Sequence, residues 1–290
     1  KRVGLIDEAF SAKMNKFAFA VALPALLFQD ISAVDIRESW NGGFVLFCFI
    51  ATFLSITGVT VLSFFVVKRE ERGEFVQGAY RSSAAILGIA FIQNIYGTSG
   101  MAPLMIIGTV PLYNAFAVIV LSLLKPGQRK MDKALLQKTL KGIVTNPIIL
   151  GIAAGFVWAI LKIPQPEILQ KTVKNMAVLA TPLGLMAMGA SFEGKKALGK
   201  LKPTLIASAL KLVVLAAIFL PIAVWLGYRE SELVAILVML GSATTVSSFV
   251  MARNMGHEGI LTSSIVMVTT LCSAFTLTGW LFLLKTLGLV

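Results

Sequence analysis

Long uncharged stretches dominate the pattern of hydrophobic and polar positions along this chain. A stretch of about 18 or more apolar residues is long enough to cross the hydrocarbon core of a bilayer as a helix. One such stretch is compatible with a buried helix of a soluble protein, but six of them in one chain predict a membrane protein. The stretches without Asp, Glu, Lys or Arg are 41–67, 82–124, 142–161, 175–192, 233–252 and 259–284.

Charged clusters and turn signals divide the chain into nine predicted spans, lettered A to I. Span C is irregular, because Arg81-Ser82-Ser83 is followed by Gly88. Span H is irregular too, with the small and polar run Gly241 to Thr245 at its middle. The predicted spans are A 12–31, B 41–67, C 74–96, D 101–124, E 142–161, F 169–192, G 203–226, H 231–251 and I 259–286.

Composition and charge support this assignment and predict an orientation. The chain is 57% hydrophobic and 14% charged, whereas an average soluble domain is roughly 25% charged. The segment before A and the loops B–C, D–E, F–G and H–I carry 18 of the 26 Lys and Arg residues, and the opposite face carries 6. Positive loops stay in the cytoplasm, which predicts a multi-pass protein of the cell membrane with an extracytoplasmic C-terminus. The net charge of +12 therefore indicates topology and contact with the bilayer, rather than nucleic-acid binding.

The sequence contains no pattern typical of an enzyme. Cys48 and Cys272 fall within predicted spans without a metal-binding spacing, and His257 is the only histidine. Motifs of hydrolases, metalloproteases and nucleotide-binding proteins are missing. We therefore predict no catalytic residues, no metal site and no cofactor.

An internal repeat relates the two halves of the chain. Adding 158 to the numbering places A on F, B on G, C on H and D on I, and Pro24 then falls on Pro182. Span E shifted back by 158 would lie before Lys1, so we expect a first span that this chain lacks. Five spans per repeat would invert the second copy. The predicted fold is therefore all-α, with an inverted five-plus-five repeat, broken crossing helices and nine spans present. The expected divisions are 1–124 for the first repeat, 125–141 for a basic cytoplasmic loop and 142–290 for the second repeat.

Inverted repeats are typical of secondary transporters, whose solute sites lie at corresponding interrupted spans. Spans C and H are those spans here, and both place hydroxyl and small residues at mid-depth. The alternative is that each hydroxyl bonds to its own helix or packs between helices. The candidate substrate-binding residues are Arg81, Ser82, Ser83, Gly88, Asn114, Gly241, Ser242, Thr244, Thr245, Ser247 and Ser248.

Several short strings, in this order along nearly the whole chain, resemble the auxin efflux carrier family, which includes the plant PIN carriers and bacterial dicarboxylate permeases. They are 15–17 (NKF), 21–28 (VALPALLF), 110–114 (VPLYN), 145–149 (TNPII), 180–183 (ATPL) and 246–252 (VSSFVMA). The resemblance implies a ten-span inverted repeat in which two broken spans cross at the substrate site. It also implies a moving transport domain of B, C, D, G, H and I, and a scaffold of A, E and F that can dimerise. Members of the family move organic anions.

The chain departs from the family pattern in both interrupted spans. The family commonly has Arg-Ser-Asn and then Gly-x-Pro in span C, where this chain has Arg81-Ser82-Ser83 and Gly88-Ile89-Ala90. In span H the family has Ser-Pro-Thr, where this chain has Ser242-Ala243-Thr244. Proline is the residue that breaks a helix most readily, so without it we expect the breaks to depend on Gly88, Gly241 and the hydroxyls.

These observations favour a carrier for a small organic anion, such as a mono- or dicarboxylate or an auxin-like acid, that works by alternating access. The alternative is a helical receptor or channel. Arg81 is expected either to bind the anion or to snorkel to the cytoplasmic interface, and Lys211 is a weaker candidate of the same kind. All fourteen Asp and Glu residues lie in loops or at span ends, with Glu74 and Glu193 the nearest to the hydrocarbon. Transport is therefore expected to be driven by the membrane potential, without a membrane-embedded carboxylate; the alternative is coupling to sodium held by backbone carbonyls at the crossover.

Overall fold

A computed structural model describes residues 6–33, 40–127 and 133–290, and in these ranges it is helical without any β-strand. Two π-helical turns, Ala18–Ala22 and Leu210–Val214, interrupt long helices. The α-helices are α1 Glu8–Phe17, α2 Leu23–Ser32, α3 Gly42–Val66, α4 Arg72–Tyr80, α5 Ala84–Tyr96, α6 Ala102–Leu123, α7 Lys133–Val144, α8 Pro147–Leu161, α9 Glu167–Val178, α10 Ala180–Ser191, α11 Gly194–Gly199, α12 Leu201–Ala209, α13 Leu215–Trp225, α14 Glu230–Gly241, α15 Ser247–Asn254 and α16 Ile260–Thr286.

Six helical stretches in the described part of the chain are long and apolar enough to cross a membrane: Glu8–Ser32, Gly42–Val66, Ala102–Leu123, Glu167–Ser191, Leu201–Trp225 and Ile260–Thr286. They overlap the predicted spans A, B, D, F, G and I. Span C is divided into α4 and α5, span H into α14 and α15, and span E is the 15-residue α8. The chain is thus a multi-pass membrane protein with two helices interrupted at mid-length.

Two predictions about local structure are corrected. Gly88 lies inside α5, and the break of span C falls earlier, at residues 81–83. The segment 125–141 is not all loop, because α7 begins at Lys133, while residues 128–132 lie outside the described part. The apolar residues of α7 recur at helical spacing, which favours an amphipathic helix over a loop.

The outer surface carries large apolar side chains. Phe65, Trp225 and Phe275 are each exposed over 81% or more of their surface. Along α3, Leu46, Ile50 and Leu54 recur every fourth residue and are exposed as well. A soluble protein rarely exposes contiguous apolar patches of this size, so this surface is suited to contact with lipid.

Helix α8 packs closely against α2 through two glycines spaced four apart. A Cβ atom at Gly151 would lie 2.7 Å from the carbonyl oxygen of Pro24, and one at Gly155 would lie 3.0 Å from the Cβ of Ile31. Small residues at this spacing let membrane helices approach each other closely. Helix α2 also packs against α9, and α1 packs against α10. These helices belong to the predicted spans A, E and F.

Candidate functional site

The two interrupted spans meet at their breaks. The hydroxyl oxygens of Ser82 and Ser242 are 3.0 Å apart, within hydrogen-bonding distance. The backbone N–H of Ser83 donates to the carbonyl oxygen of Ala243 over 3.0 Å. Residues at each break therefore form hydrogen bonds with polar groups at the other break, and such groups need partners in a low-dielectric interior.

Side chains satisfy the carbonyl groups that the interrupted helices leave free. The hydroxyl of Thr244 donates to the carbonyl oxygen of Gly78, in the last turn of α4, over 2.8 Å. The hydroxyl of Tyr113, on α6, donates to the carbonyl oxygen of Met239, in the last turn of α14, over 2.9 Å. The last carbonyls of any helix have no partner within it, so these bonds stabilise breaks that no proline makes.

Arg81 lies at the break of the first interrupted span, where the backbone turns from helical to extended. Its side chain is only 2% exposed, and its guanidinium donates to the side-chain oxygen of Asn114 and, over 2.7 Å, to the sulfur of Met251. The amide group of Asn114 donates in turn to the carbonyl oxygen of Val110 over 2.8 Å, which fixes its orientation. The guanidinium thus points into the protein, which favours the anion-binding prediction over snorkelling.

A small cavity of about 50 Å³ lies between the two breaks and α2. The first residues of α5 and of α15 line it, so two helix N-termini, which carry partial positive charge, adjoin it together with Arg81. This combination favours a bound anion. Its lining is Leu23, Leu26, Leu27, Asp30, Arg81, Ser82, Ser83, Ala84, Ala85, Val110, Tyr113, Asn114, Thr245 and Ser247.

The structure brings six of the eleven predicted site residues to this cavity: Arg81, Ser82, Ser83, Asn114, Thr245 and Ser247. The other five do not line it. Ser242 and Thr244 bond to the other interrupted span, Gly241 is the last residue of α14, and Gly88 packs against Met105. Ser248 is fully buried, and its carbonyl oxygen accepts a hydrogen bond from Gln77. For Ser242 and Thr244 the alternative of a packing and bonding role describes the contacts better.

Asp30 is a cavity residue that the sequence pattern does not indicate. It lies in the last turn of α2, two residues before the helix ends at Ser32, and it faces the same cavity as Arg81. Leu23, Leu27 and Asp30 share one face of α2, because their spacing of four and three residues matches a helical turn. That apolar periodicity was the available signal, since it places Asp30 on a buried face.

A larger cavity of about 390 Å³ lies between α1, α10 and α15. Its lining includes Ser11 and Asn15 of α1, Ser191 of α10, and Arg253 and Asn254 of α15. Helix α15 therefore contacts the small cavity at its first residue and the larger cavity at its last turn. In residues 6–33, 40–127 and 133–290, no group of three or more His, Cys, Asp and Glu side chains is arranged to hold a metal.

A multi-pass helical protein with two interrupted helices that cross beside a buried arginine has the architecture of a membrane carrier. Residues 1–281 match the family model described as "Membrane transport protein". The chain therefore belongs to this family, the auxin efflux carrier type of membrane transport protein, as its resemblance implied. It is similar to a Rhizobium meliloti (strain 1021) protein named "Putative malonate transporter", with 26% identity over 294 residues that cover 97% of this chain and 90% of that protein.

Proposed function

We propose that this membrane transporter is a secondary carrier for small organic anions, most of all mono- and dicarboxylates. The observation that carries the proposal is the cavity at the crossing of the interrupted spans, which adjoins Arg81 and two helix N-termini. A guanidinium can bind a carboxylate through two parallel hydrogen bonds, and each helix N-terminus adds partial positive charge. The similarity to a protein named as a malonate transporter supports the same class of substrate.

The size of the cavity favours small substrates over large ones. About 50 Å³ corresponds to roughly four water-sized spheres, since one water needs about 10–15 Å³ on this measure. A carboxylate group with one or two carbons fits that space, whereas an aromatic auxin-like acid requires the helices to move apart. We therefore expect malonate-sized acids to be preferred over indole-3-acetate.

The proposed mechanism is alternating access between a scaffold and a moving domain. The scaffold consists of α1, α2, α8, α9 and α10, and the moving domain carries both interrupted spans, with α3, α6, α12, α13 and α16. In the proposed fold these elements form inverted repeats with a cytoplasmic side at the basic loops and an extracytoplasmic C-terminus. The 390 Å³ cavity between α1, α10 and α15 lies where these two bodies meet, and it supplies the route to one side of the membrane.

Uptake by proteoliposomes tests the proposal. Purified protein is reconstituted and offered radiolabelled acetate, malonate, succinate and indole-3-acetate, with a potassium diffusion potential of either sign. Moving one anion through 100 mV is worth about 2.3 kcal/mol, which supports a gradient of roughly 50-fold. We expect malonate or succinate to accumulate when the interior is positive.

Exchange separates a carrier from a channel or receptor. Unlabelled malonate inside the liposomes should accelerate the entry of labelled malonate, because a carrier returns faster with substrate bound, whereas a channel shows no such acceleration. If no carboxylate enters faster than it enters protein-free liposomes, the proposed substrate class is wrong.

A further inference from the structure

Lys211 is a buried lysine in the middle of a membrane-spanning stretch. It lies in the π-helical turn Leu210–Val214 that joins α12 to α13, and none of its surface is exposed. A charged lysine in the membrane interior is costly and is found where it has a partner or a function. Single π-turns within α-helices also occur frequently at functional sites.

The ammonium group of Lys211 binds the open end of α14. It donates to the carbonyl oxygen of Leu240 over 2.5 Å and to that of Met239 over 3.3 Å. Both residues lie in the last turn of α14, which ends at Gly241. The last carbonyls of a helix lack intrahelical partners and carry partial negative charge. The lysine side chain therefore provides hydrogen-bond donors for carbonyl groups that the end of α14 leaves without partners in the helix.

At the corresponding end of the first interrupted span, the Arg81 guanidinium donates to the side chains of Asn114 and Met251 and not to helix carbonyls. There the carbonyl oxygen of Gly78 accepts a hydrogen bond from the uncharged hydroxyl of Thr244. In the described part of the chain no Asp or Glu carboxylate lies within ion-pair distance of Lys211. The partners of the amine are thus backbone carbonyls at a helix end, the kind of group with which carriers with interrupted helices hold a coupling cation.

We infer that the Lys211 ammonium is a resident cation that occupies the place of a sodium-type coupling ion at the end of α14, so that the carrier works without an external metal cation. This rests on the proposed transport function. When α14 and α15 move with the solute, the tethered ammonium moves with them, and no cation is released on either side. Removing the side chain should open a site for a small monovalent cation bounded by the carbonyl oxygens of Met239 and Leu240.

Three variants test the inference. Lys211→Ala removes the ammonium and leaves space, Lys211→Met fills the space without charge, and Lys211→Arg keeps a charge. Uptake and thermal stability are measured with N-methylglucamine as the only cation, and again with ammonium, methylammonium, sodium or lithium added. We expect wild-type uptake to be the same in all media. Lys211→Ala should lose roughly tenfold in uptake without small cations and regain most of it with one of them. Lys211→Met should stay inactive in every medium.

Thermal stability supplies a readout that does not need transport. A small cation should raise the melting temperature of Lys211→Ala and leave that of the wild type unchanged, even if none of the carboxylates tested is a substrate. The inference is overturned if wild-type uptake requires sodium, or if Lys211→Ala is fully active in N-methylglucamine. It is overturned as well if neither uptake nor stability of Lys211→Ala responds to any of the four cations. Where Lys211→Ala does not fold, Lys211→Met decides, because full uptake by Lys211→Met in N-methylglucamine overturns the inference and its loss in every medium supports it.

Discussion

At the scale of single residues, the guanidinium of Arg81 is the group on which anion binding depends most. Arg81→Ala should weaken malonate binding by roughly 10- to 100-fold, because a hydrogen bond to a charged group contributes about 1.5–3 kcal/mol. Arg81→Lys should recover only part of the lost affinity, since an ammonium lacks the planar array of N–H groups with which a guanidinium binds both oxygens of a carboxylate. Binding is measured by isothermal titration on purified protein.

The matched control for Arg81 is Lys171→Ala, which removes a cation from the exposed ion pair with Glu167. It should leave affinity unchanged, because exposed pairs contribute little. If Arg81→Ala inserts normally and binds malonate as tightly as the wild type, the anion site lies elsewhere.

The carboxyl group of Asp30, when ionised, opposes a second carboxylate of the substrate. Two like charges about 10 Å apart repel by about 1.7 kcal/mol at an effective dielectric constant of about 20. Asp30→Asn should therefore tighten dicarboxylate binding by roughly tenfold, with a smaller effect on acetate. Glu167→Gln, an exposed carboxylate of α9, is the control.

Uptake by Asp30→Asn decides whether this carboxylate also couples transport to protons. Under the potential-driven mechanism the variant keeps its uptake. If a pH gradient drives concentrative uptake in the wild type and Asp30→Asn abolishes it, Asp30 is a coupling residue and the expectation of potential-driven transport is wrong.

Residue identity alone indicated six of the fourteen residues that line the small cavity. Arg81 could be found because a cation between uncharged stretches is rare and costly. Asp30 belongs to no motif and can be placed only through the apolar periodicity of α2, whereas the contacts of Lys211 depend on a π-turn that the sequence does not fix. Ser242 and Thr244 carry the expected hydroxyls, but which hydroxyl meets solute and which meets the other break depends on tertiary contacts.

At the scale of helices, the close contact of α8 with α2 predicts a strict requirement for glycine. A Cβ at Gly151 would lie 2.7 Å from the carbonyl oxygen of Pro24 and 2.9 Å from its Cα, both backbone atoms that cannot rotate away. Gly151→Ala should therefore lower the melting temperature and the yield. Overpacking of this kind typically costs about 1–3 kcal/mol.

Gly189→Ala in α10 is the matched control, because a Cβ there has nothing within 4 Å. It should be neutral or stabilising, by up to about 1 kcal/mol, because alanine favours the helix. Equal melting temperatures for the two alanine variants would contradict the described packing of α2 and α8.

His257 joins the start of α16 to α6, outside the membrane-spanning segments. Its Nε2 is 2.9 Å from the carbonyl oxygen of Leu121, and its side chain is 4% exposed. Burial lowers the pKa of His257 below its ordinary value of 6.5 and Lys125 lowers it further, which together outweigh the opposite effects of the Leu121 bond and Glu74. The unfolded chain therefore binds a proton first as the pH falls.

Stability from His257 should be complete above about pH 6.5 and decline below it. The melting temperature of the wild type should thus decrease from pH 7.5 to pH 5.5 more than that of His257→Gln, whose amide can still donate to the Leu121 carbonyl. Parallel curves for the two proteins would show that His257 does not titrate in this range.

At the scale of the whole molecule, the spacing of the elements follows the repeat seen in the sequence. The stretches that begin at Glu8, Gly42, Arg72 and Ala102 have counterparts 158 or 159 residues later, at Glu167, Leu201, Glu230 and Ile260. Hydrophobic pattern alone predicted these segments, because membrane helices must be long and apolar. The breaks lie at the small and polar residues 81–83 and 242–246, close to where the sequence predicts irregular spans, and hydrogen bonds between residues about 160 positions apart stabilise them, such as that between Ser82 and Ser242. The inversion of the second copy stays a prediction, tested by superposing the two halves.

Alternating access requires α15 to move relative to α1, and crosslinking tests that motion. The side chain of Asn254 donates to the carbonyl oxygen of Asn15 over 3.1 Å, so the two residues are adjacent. In a background with Cys48 and Cys272 replaced by alanine, cysteines at 15 and 254 are joined by a short bifunctional thiosulfonate. We expect the crosslink to stop malonate uptake and a reducing agent to restore it, while binding persists, because a fixed domain keeps its site but cannot present it to both sides.

A crosslink within the proposed scaffold is the control for that experiment. Ser11 of α1 and Ser191 of α10 have hydroxyl oxygens 3.3 Å apart, and cysteines there are joined by the same reagent. Both helices belong to the proposed scaffold, so this crosslink should leave uptake at the rate of the unlinked protein. Both linkers lie at the edge of the same 390 Å³ cavity. The comparison therefore distinguishes a block of the motion of α15 relative to α1 from a general effect of crosslinking beside the cavity. Unimpaired uptake with 15 joined to 254 would show that α1 and α15 move together, and the division into scaffold and moving domain would have to be drawn elsewhere.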